Sequence, residues 1–424
     1  MVVGNTSPQS HTASAHGWTE VNGIQVPVEL VGLPQPNPHL DMDEYDPEAD
    51  LMALNMGPQH PSTHGVLRLK IFLDGEICVK VIPYLGYLHR GVEKLCEKLT
   101  YATITPIVDK NDYVSPMINE LAINMAFESL LGIEAPRRSQ YLRTICAEIQ
   151  RVASHLLSVG TWGLDMGGAI GGGATIFMHC FRERELIMDL FEELTGARFH
   201  YNTHCVGGNR HDIPVGWDKM ATDVLNQIEE KIDEYEGFLN HNSIFRARSV
   251  GVGLVDPMLA LELGIGGPIA RGSGVDFDLR RDAPYMAYRE IDINVPVETA
   301  GDSLARYLVR VREMRESIRI AKALLEGIPE GPICTLKPVK LPATVKSFAG
   351  EATYVGIESA RGELGTHVIA QTVKKQGPHP YRLKIRPPSY HALALMPYLC
   401  PGQTVSDIVV ILGSLDPIMG EADR

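Results

Sequence analysis

The sequence predicts an α+β fold: a central bundle of long helices, an N-terminal β-hairpin or sheet portion before it, and a small C-terminal β-containing portion after it. Three observations predict it. Two alternating apolar runs, residues 66–73 and 76–82, are joined by Asp74-Gly75, a dipeptide that signals a hairpin between such runs. From Met117 onward apolar residues recur with the helix period over long stretches. Near the C-terminal end the pattern returns to short β-like runs.

Each element follows in order. Residues 1–45 read as a flexible arm, with little apolar periodicity and prolines at Pro34, Pro36 and Pro38. Residues 46–115 hold a histidine-bearing loop and the hairpin, an N-terminal α+β portion. Residues 116–330 form the helical core. A first helix is expected over 137–159, punctuated by Gly160, with Ile145, Ile149, Val152 and Leu156 on one stripe and Arg143, Gln150 and Arg151 off it. Others are expected over 181–194 (ended by Gly196), 218–239 and 303–325. The last opens after Asp302 as N-cap and closes at Gly327 with Pro329 beyond. Residues 331–350, rich in Pro and Lys, read as a linker. Residues 351–424 carry β-like runs at 354–358, 366–372 and 381–385, then an apolar segment at 405–412.

At 424 residues, 44% hydrophobic and 21% charged, the composition is that of a soluble globular chain with a substantial core. The longest apolar stretches, such as residues 408–413, are far too short to cross a bilayer. The first forty residues are polar and carry no secretory signal. Membrane association is therefore expected through partners or a peripheral surface. A net charge of −13 argues against nucleic acid as a partner, because a phosphate-binding footprint is basic. The seven cysteines are widely separated, with no C-x-x-C pair. That excludes an obvious zinc ribbon or iron–sulfur cradle and suggests buried, reduced thiols.

Few local stretches carry chemistry on their own terms. In Gly57-Pro58-Gln59-His60-Pro61-Ser62-Thr63-His64-Gly65 two histidines lie four apart, but Pro61 favours a loop over a helix. Read without context, both imidazoles satisfy backbone groups in a turn. Tyr113, in Lys110-Asn111-Asp112-Tyr113, reads as a core ring with a wetted hydroxyl. Asp165, just past a helix, reads as a cap for the next one. Gly167, Gly168 and Gly171 to Gly173 lack the Lys-Ser/Thr ending of a phosphate loop and the preceding strand of a dinucleotide fold. His200 follows a helix end, where a protonated imidazole is favoured. His204, Cys205 and His211 match no standard metal spacing.

A set of ordered motifs points further. Leu54-Asn55-Met56-Gly57-Pro58-Gln59-His60-Pro61-Ser62-Thr63-His64-Gly65-Val66-Leu67-Arg68 resembles the signature of the catalytic large subunit of respiratory complex I, the D-type subunit in bacteria. So do Gly86-Tyr87-Leu88-His89-Arg90-Gly91-Val92-Glu93-Lys94, Phe181-Arg182-Glu183-Arg184-Glu185, Arg271-Gly272-Ser273-Gly274 and Arg310-Val311-Arg312-Glu313-Met314-Arg315-Glu316-Ser317. Glu358-Ser359-Ala360-Arg361-Gly362-Glu363-Leu364-Gly365 and Ser414-Leu415-Asp416-Pro417-Ile418-Met419-Gly420 complete the series. The family is similar to the large subunit of nickel–iron hydrogenases, which hold their metal with two Cys-x-x-Cys pairs. This chain has neither pair, and nickel or iron would require such thiolates. The resemblance thus implies a hydrogenase-like fold without bound metal, its old metal space given over to a quinone headgroup.

The resemblance also implies residue roles. His64 and Tyr113 match positions that hydrogen-bond the quinone oxygens, with His60 in the same loop, and Asp165 matches the acid that pairs with the histidine. Arg90, Lys110 and His200 match positions near a [4Fe-4S] cluster held by a small iron–sulfur partner of the B-like type. Lys110 stands where many relatives have arginine, a point charge in place of a planar fork. Further implied partners are C-like and I-like peripheral subunits and an H-like membrane subunit, with NAD(H) bound at a distant subunit. The implied location is the cytoplasmic side of a bacterial or archaeal plasma membrane, or the matrix side of an organelle, with ion translocation by the membrane partners. Two departures from the family stand out: a glycine-rich stretch over 166–180, and a linker over 331–350 in place of an amphipathic helix. They leave open an electron donor other than NADH, and a scaffold subunit with a degenerate cavity as the alternative.

Overall fold

Alternation of buried and exposed positions along Arg68–Asp74 sets the first sheet of the computed structural model, which describes residues 18–21, 24–27, 51–60, 63–167, 174–335, 352–371 and 379–424. The chain divides into two units, Met1–Asp46 and Pro47–Arg424. In the first, β1 (Trp18–Val21) and β2 (Ile24–Pro27) pair as an antiparallel hairpin. The rest of the expected arm lies outside the described residues.

In the larger unit, β3 (Met52–Met56), β4 (Arg68–Asp74) and β5 (Ile77–Tyr84) form an antiparallel sheet in that order. Leu69, Ile71 and Leu73 point into the core. The expected hairpin forms, but its turn falls at Gly75-Glu76, one residue beyond the expected Asp74-Gly75, with Asp74 opposite Ile77 and Gly75 at φ 59°, a backbone that glycine adopts freely. Short helices α1 (Val92–Cys96) and α2 (Tyr101–Val108) lead to the core helices α3 (Pro116–Leu131), α4 (Arg137–Asp165) and α5 (Ala174–Thr195). A small hairpin of β6 (His204–Cys205) and β7 (Gly208–Asn209) precedes α6 (Trp217–Leu239). Four short helices, α7 (Ser243–Ser249), α8 (Pro257–Glu262), α9 (Gly267–Gly272) and α10 (Leu279–Asp282), then lead to α11 (Ser303–Glu326). Asp302 caps α11 by accepting from the Ala305 amide, as its sequence suggests.

Beyond α11, β8 (Ala352–Ser359), β9 (Gly362–Ile369) and β10 (Arg382–Arg386) form a second antiparallel sheet with β9 central. Then follow α12 (Pro388–Leu393), α13 (Met396–Leu399), α14 (Val405–Leu415) and α15 (Met419–Asp423). Residues 168–173 and 336–350, the cores of the glycine-rich loop and of the expected linker, lie outside the described residues. Among the described residues no helix is long and apolar enough to cross a membrane. The mixed architecture, mostly helical with small antiparallel sheets, is the α+β fold expected.

Two expectations about α4 need correction. It does not stop at Gly160 but runs on to Asp165. Gly160 is there for packing: a Cβ would lie 3.1 Å from the Cys180 Cβ and 3.4 Å from the Phe177 Cα on α5, so the missing side chain lets the two helices close on each other. Nor do Arg143, Gln150 and Arg151 form a solvated face. All three are fully buried, because α3, α5, α11 and α14 surround α4. A buried charge must be paired. Arg143 meets Glu128 of α3 at 2.8 Å, and Arg151 donates to the Ser359 and Glu358 carbonyls at 2.6 and 2.7 Å. His155 meets Glu313 of α11 at 2.8 Å, and Glu313 in turn meets Arg271.

Gly160→Leu should therefore wedge α4 from α5. Urea unfolding of the purified subunit should show a loss of about 1–3 kcal/mol, the usual range for overpacking. Unchanged stability would mean that the crossing is looser than it looks.

Candidate active site

The site begins in the loop between β3 and β4. A backbone bridge between His60 and Gly65 closes the loop, and Thr63 donates through its amide and hydroxyl to the His60 carbonyl. His64 sits at the tip with φ 50°, a left-handed conformation that a non-glycine residue adopts at a cost of roughly 1–3 kcal/mol. Its Nε2 donates to Asp165 Oδ2 at 2.6 Å. The side chains of the pair are 11% and 6% exposed, shielded from bulk water but reachable.

Asp165 is the last residue of α4, so its carboxylate turns to His64 instead of capping the next helix. Gly413 of α14 makes room for it. A Cβ there would collide with the Asp165 carboxylate and come within 2.8 Å of the Trp162 ring.

Tyr113 lies in the turn between α2 and α3. Its neighbour Asp112 accepts from the Val114 and Ser115 amides and from Arg361 Nη1 at 2.7 Å. Arg361, in the β8–β9 turn, also donates to the Asp416 carbonyl at 2.9 Å and lies 3.3 Å from its carboxylate. The Tyr113 ring rests against Gly420, where a Cβ would be 3.3 Å away. A Cβ on Gly65 would lie 4.0 Å from the Tyr113 hydroxyl. His64, Asp165 and Tyr113, scattered over a hundred residues of chain, thus meet in one place. His60 stays exposed at the entry of the loop.

Charges around this place decide protonation. Burial lowers the His64 pKa, but the hydrogen bond and charge of Asp165, helped by Asp416, raise it above 6.5 on balance. Burial raises Asp165 above 3.8, with His64 and Arg248 opposing. Both partners therefore lean towards holding a proton. Tyr113 is held above its ordinary value by burial first, then by Asp112 and Asp416, against Arg361.

Arg90, Lys110 and His200 gather separately, around Asp109 and Asn111. Arg90 Nη2 donates to Asn111 Oδ1 at 3.0 Å, Lys110 lies 3.2 Å from Asp109, and His200 Nδ1 lies 3.9 Å from it. The Arg90 loop is fastened to α15, whose Asp423 carboxylate accepts from the Gly86 and Leu88 amides. Desolvation, then Lys110 and Arg90, lower the His200 pKa, so its surroundings favour neutral imidazole over the protonated form expected beside a helix end. Among the described residues no group of three or more His, Cys, Asp or Glu side chains is arranged to hold a metal. The positioning roles of Arg361, Asp416 and Gly413 have no signature in their local sequence, because each works through a residue far away in the chain.

The raised His64 value sets a direction for pH. Its contribution to stability is complete below the unfolded value of 6.5 and is lost as pH rises through the folded value. Asp165→Asn should flatten the fall of the thermal midpoint above pH 6.5. If the pH slope is unchanged, the pair does not set it.

Comparison with known proteins shows the family. Residues 171–424 match the family described as respiratory-chain NADH dehydrogenase, 49 Kd subunit. The chain is 43% identical over 394 residues to the NADH-quinone oxidoreductase D 2 subunit of Koribacter versatilis, covering 88% of this chain and 96% of the relative. It is 42% identical over 402 residues to the NAD(P)H-quinone oxidoreductase H 1 subunit of Gloeobacter violaceus, covering 90% and 100%. Its fold matches a chain of the membrane-bound sulfane sulfur reductase, an archaeal respiratory membrane complex, with TM-score 0.83, 33% identity and coverage of 90% and 100%. A fold built on a long buried α4, and identities above 40% along almost the whole chain, place this protein in the family of the complex I 49 Kd subunit, the D-type chain of NADH-quinone oxidoreductases.

Proposed function

We propose that this chain forms, with a small iron–sulfur partner, the site where quinone is reduced in a complex I-type oxidoreductase, and that membrane partners couple this to proton or other ion translocation. The observation that carries the reading is the 2.6 Å His64–Asp165 pair beside the Tyr113 hydroxyl. Reducing a quinone to a quinol takes two electrons and two protons, so a donor is needed at each carbonyl oxygen. Because Nε2 of His64 is committed to Asp165, Nδ1 is the nitrogen left to donate. The Asp165 carboxylate supports the charged imidazolium before transfer and orients the neutral ring after it. Tyr113, held above its ordinary pKa, keeps its proton until negative charge builds on the second oxygen. His60 would border the entrance.

On the other face, Arg90, Lys110 and His200 would lie towards the [4Fe-4S] cluster of the B-like small partner, which when bound supplies electrons one at a time. These residues present cations and an imidazole but no thiolate, so they suit the surroundings of an anionic cluster and not its ligation. NAD(H) would bind elsewhere in the assembly, with C-like and I-like peripheral subunits and an H-like membrane subunit as further partners. The assembly would sit on the cytoplasmic side of a bacterial or archaeal plasma membrane, or the matrix side of an organelle. The likeness to a sulfane sulfur reductase chain means that the electron donor need not be NADH. A scaffold role with a degenerate cavity has less support: a histidine in a left-handed conformation, fixed by a short bond to a buried acid, is a costly feature to keep without use.

His64→Ala or Tyr113→Phe should lower quinone reductase activity of the assembled complex by about 10²–10⁴-fold, while assembly and cluster reduction persist. Normal turnover in both variants would remove the assigned site. Lys110→Met removes a positive charge that lowers the His200 pKa. The midpoint potential of the partner's cluster should then gain a pH-dependent step nearer neutrality. An unaltered potential-versus-pH curve would separate His200 from the cluster.

A further inference from the structure

We propose that Arg248 is a positioning residue for the His64–Asp165 pair: it ties the end of α4 to the start of α14 and keeps an uncancelled positive charge beside Asp165. This rests on the reading of that pair as the one that protonates quinone.

The geometry begins where α7 meets α4. Asn242 caps α7 by accepting from the Ile244 and Phe245 amides, both at 3.0 Å. Phe245 is fully buried and packs edge-on against Trp162 of α4 and Tyr307 of α11, with ring centroids 5.3 Å apart in each case. Residues three apart on a helix share a face. Trp162 and Asp165 therefore line one face of α4, and Phe245 and Arg248 one face of α7. The guanidinium reaches the last turn of α4: its Nη1 donates to the Met166 carbonyl, directly after Asp165, at 3.2 Å. Its Nη2 donates to the Ser406 carbonyl of α14 at 2.9 Å. The same α14 carries Gly413, against which Asp165 is seated.

Both acceptors are neutral carbonyls, and among the described residues no carboxylate forms an ion pair with Arg248. Its charge is therefore felt by the pair. Asp165 has His64 and Arg248 as its charged neighbours, and His64 has Asp165 and Asp416. The two flanking charges oppose each other: Asp416 draws protons to the pair and Arg248 repels them. Two groups in so short a hydrogen bond titrate as a unit. Removing the cation makes each proton harder to take away, so both steps move to higher pH. Lysine in its place keeps the charge but loses the two-pronged hold of a planar fork.

The test follows quinone reductase turnover of the intact complex against pH, in the unmutated form, R248M and R248K. Turnover needs at least one proton on the pair, so it falls as pH rises through the loss of the last one. R248M should move that fall to higher pH, raising the ratio of turnover at mildly alkaline pH to that at mildly acidic pH. R248K should leave the fall in place. A uniform loss of turnover in R248M with the fall unmoved, or equal shifts in R248M and R248K, would overturn the proposal. The thermal midpoint of the full-length chain, followed against pH, reads the same pair without quinone or partners, and so serves even where R248M does not assemble. Its decline should extend to higher pH in R248M, and an unaltered decline would also overturn the proposal. Normal turnover in His64→Ala alongside that extension would remove the quinone reading and leave the role of Arg248 standing.

Discussion

A single buried guanidinium holds the two halves of the site in register. Arg361 has almost no contact with water, and an arginine in that position must be paired. Burial alone would weaken its hold on its proton, but Asp112 and Asp416 more than offset that. Asp112 immediately precedes Tyr113, and Asp416 ends the helix whose Gly413 admits Asp165. One side chain on a β-turn therefore sets the position of the phenol and of the helix end beside the imidazole. Without it, three segments with no local reason to meet would lose their common anchor.

The same rule governs α4. A helix surrounded by four others cannot send its charged residues to solvent, so Arg143, Glu148, Arg151 and His155 find partners on α3, α10, α11 and β8. Such buried pairs contribute little net stability, because desolvation offsets the attraction. What they contribute is selectivity of arrangement: a shift of α4 by one turn would leave several charges without partners. Precision at Asp165, the last residue of this helix, follows from that registration.

Much of the fold was legible in local pattern. The β4–β5 hairpin, the N-cap of α11 and the strands of the second sheet follow from turn chemistry, capping and short alternating runs. The extent of α4 did not follow, because Gly160 carries the usual mark of a helix end and only the approach of α5 explains it. The site was half legible. Taken singly, His64, Tyr113 and Asp165 read as ordinary turn, core and cap residues; resemblance to a family drew attention to them. Arg361 and Asp416 were visible only as parts of motifs, and Gly413 not at all, since their work is done on residues between 55 and 249 positions away.

What the sequence determined by itself is whatever depends on neighbours along the chain: where helices start, where strands turn, which thiolates are missing, and how much apolar surface there is to bury. The tertiary structure decided which groups lose their water, and with it their charge. His64 becomes a better base beside Asp165 and Asp416, His200 a poorer one between Lys110 and Arg90. The reason is the same in each case. Desolvation and Coulomb interaction act through space, between residues whose separation in sequence says nothing about their distance.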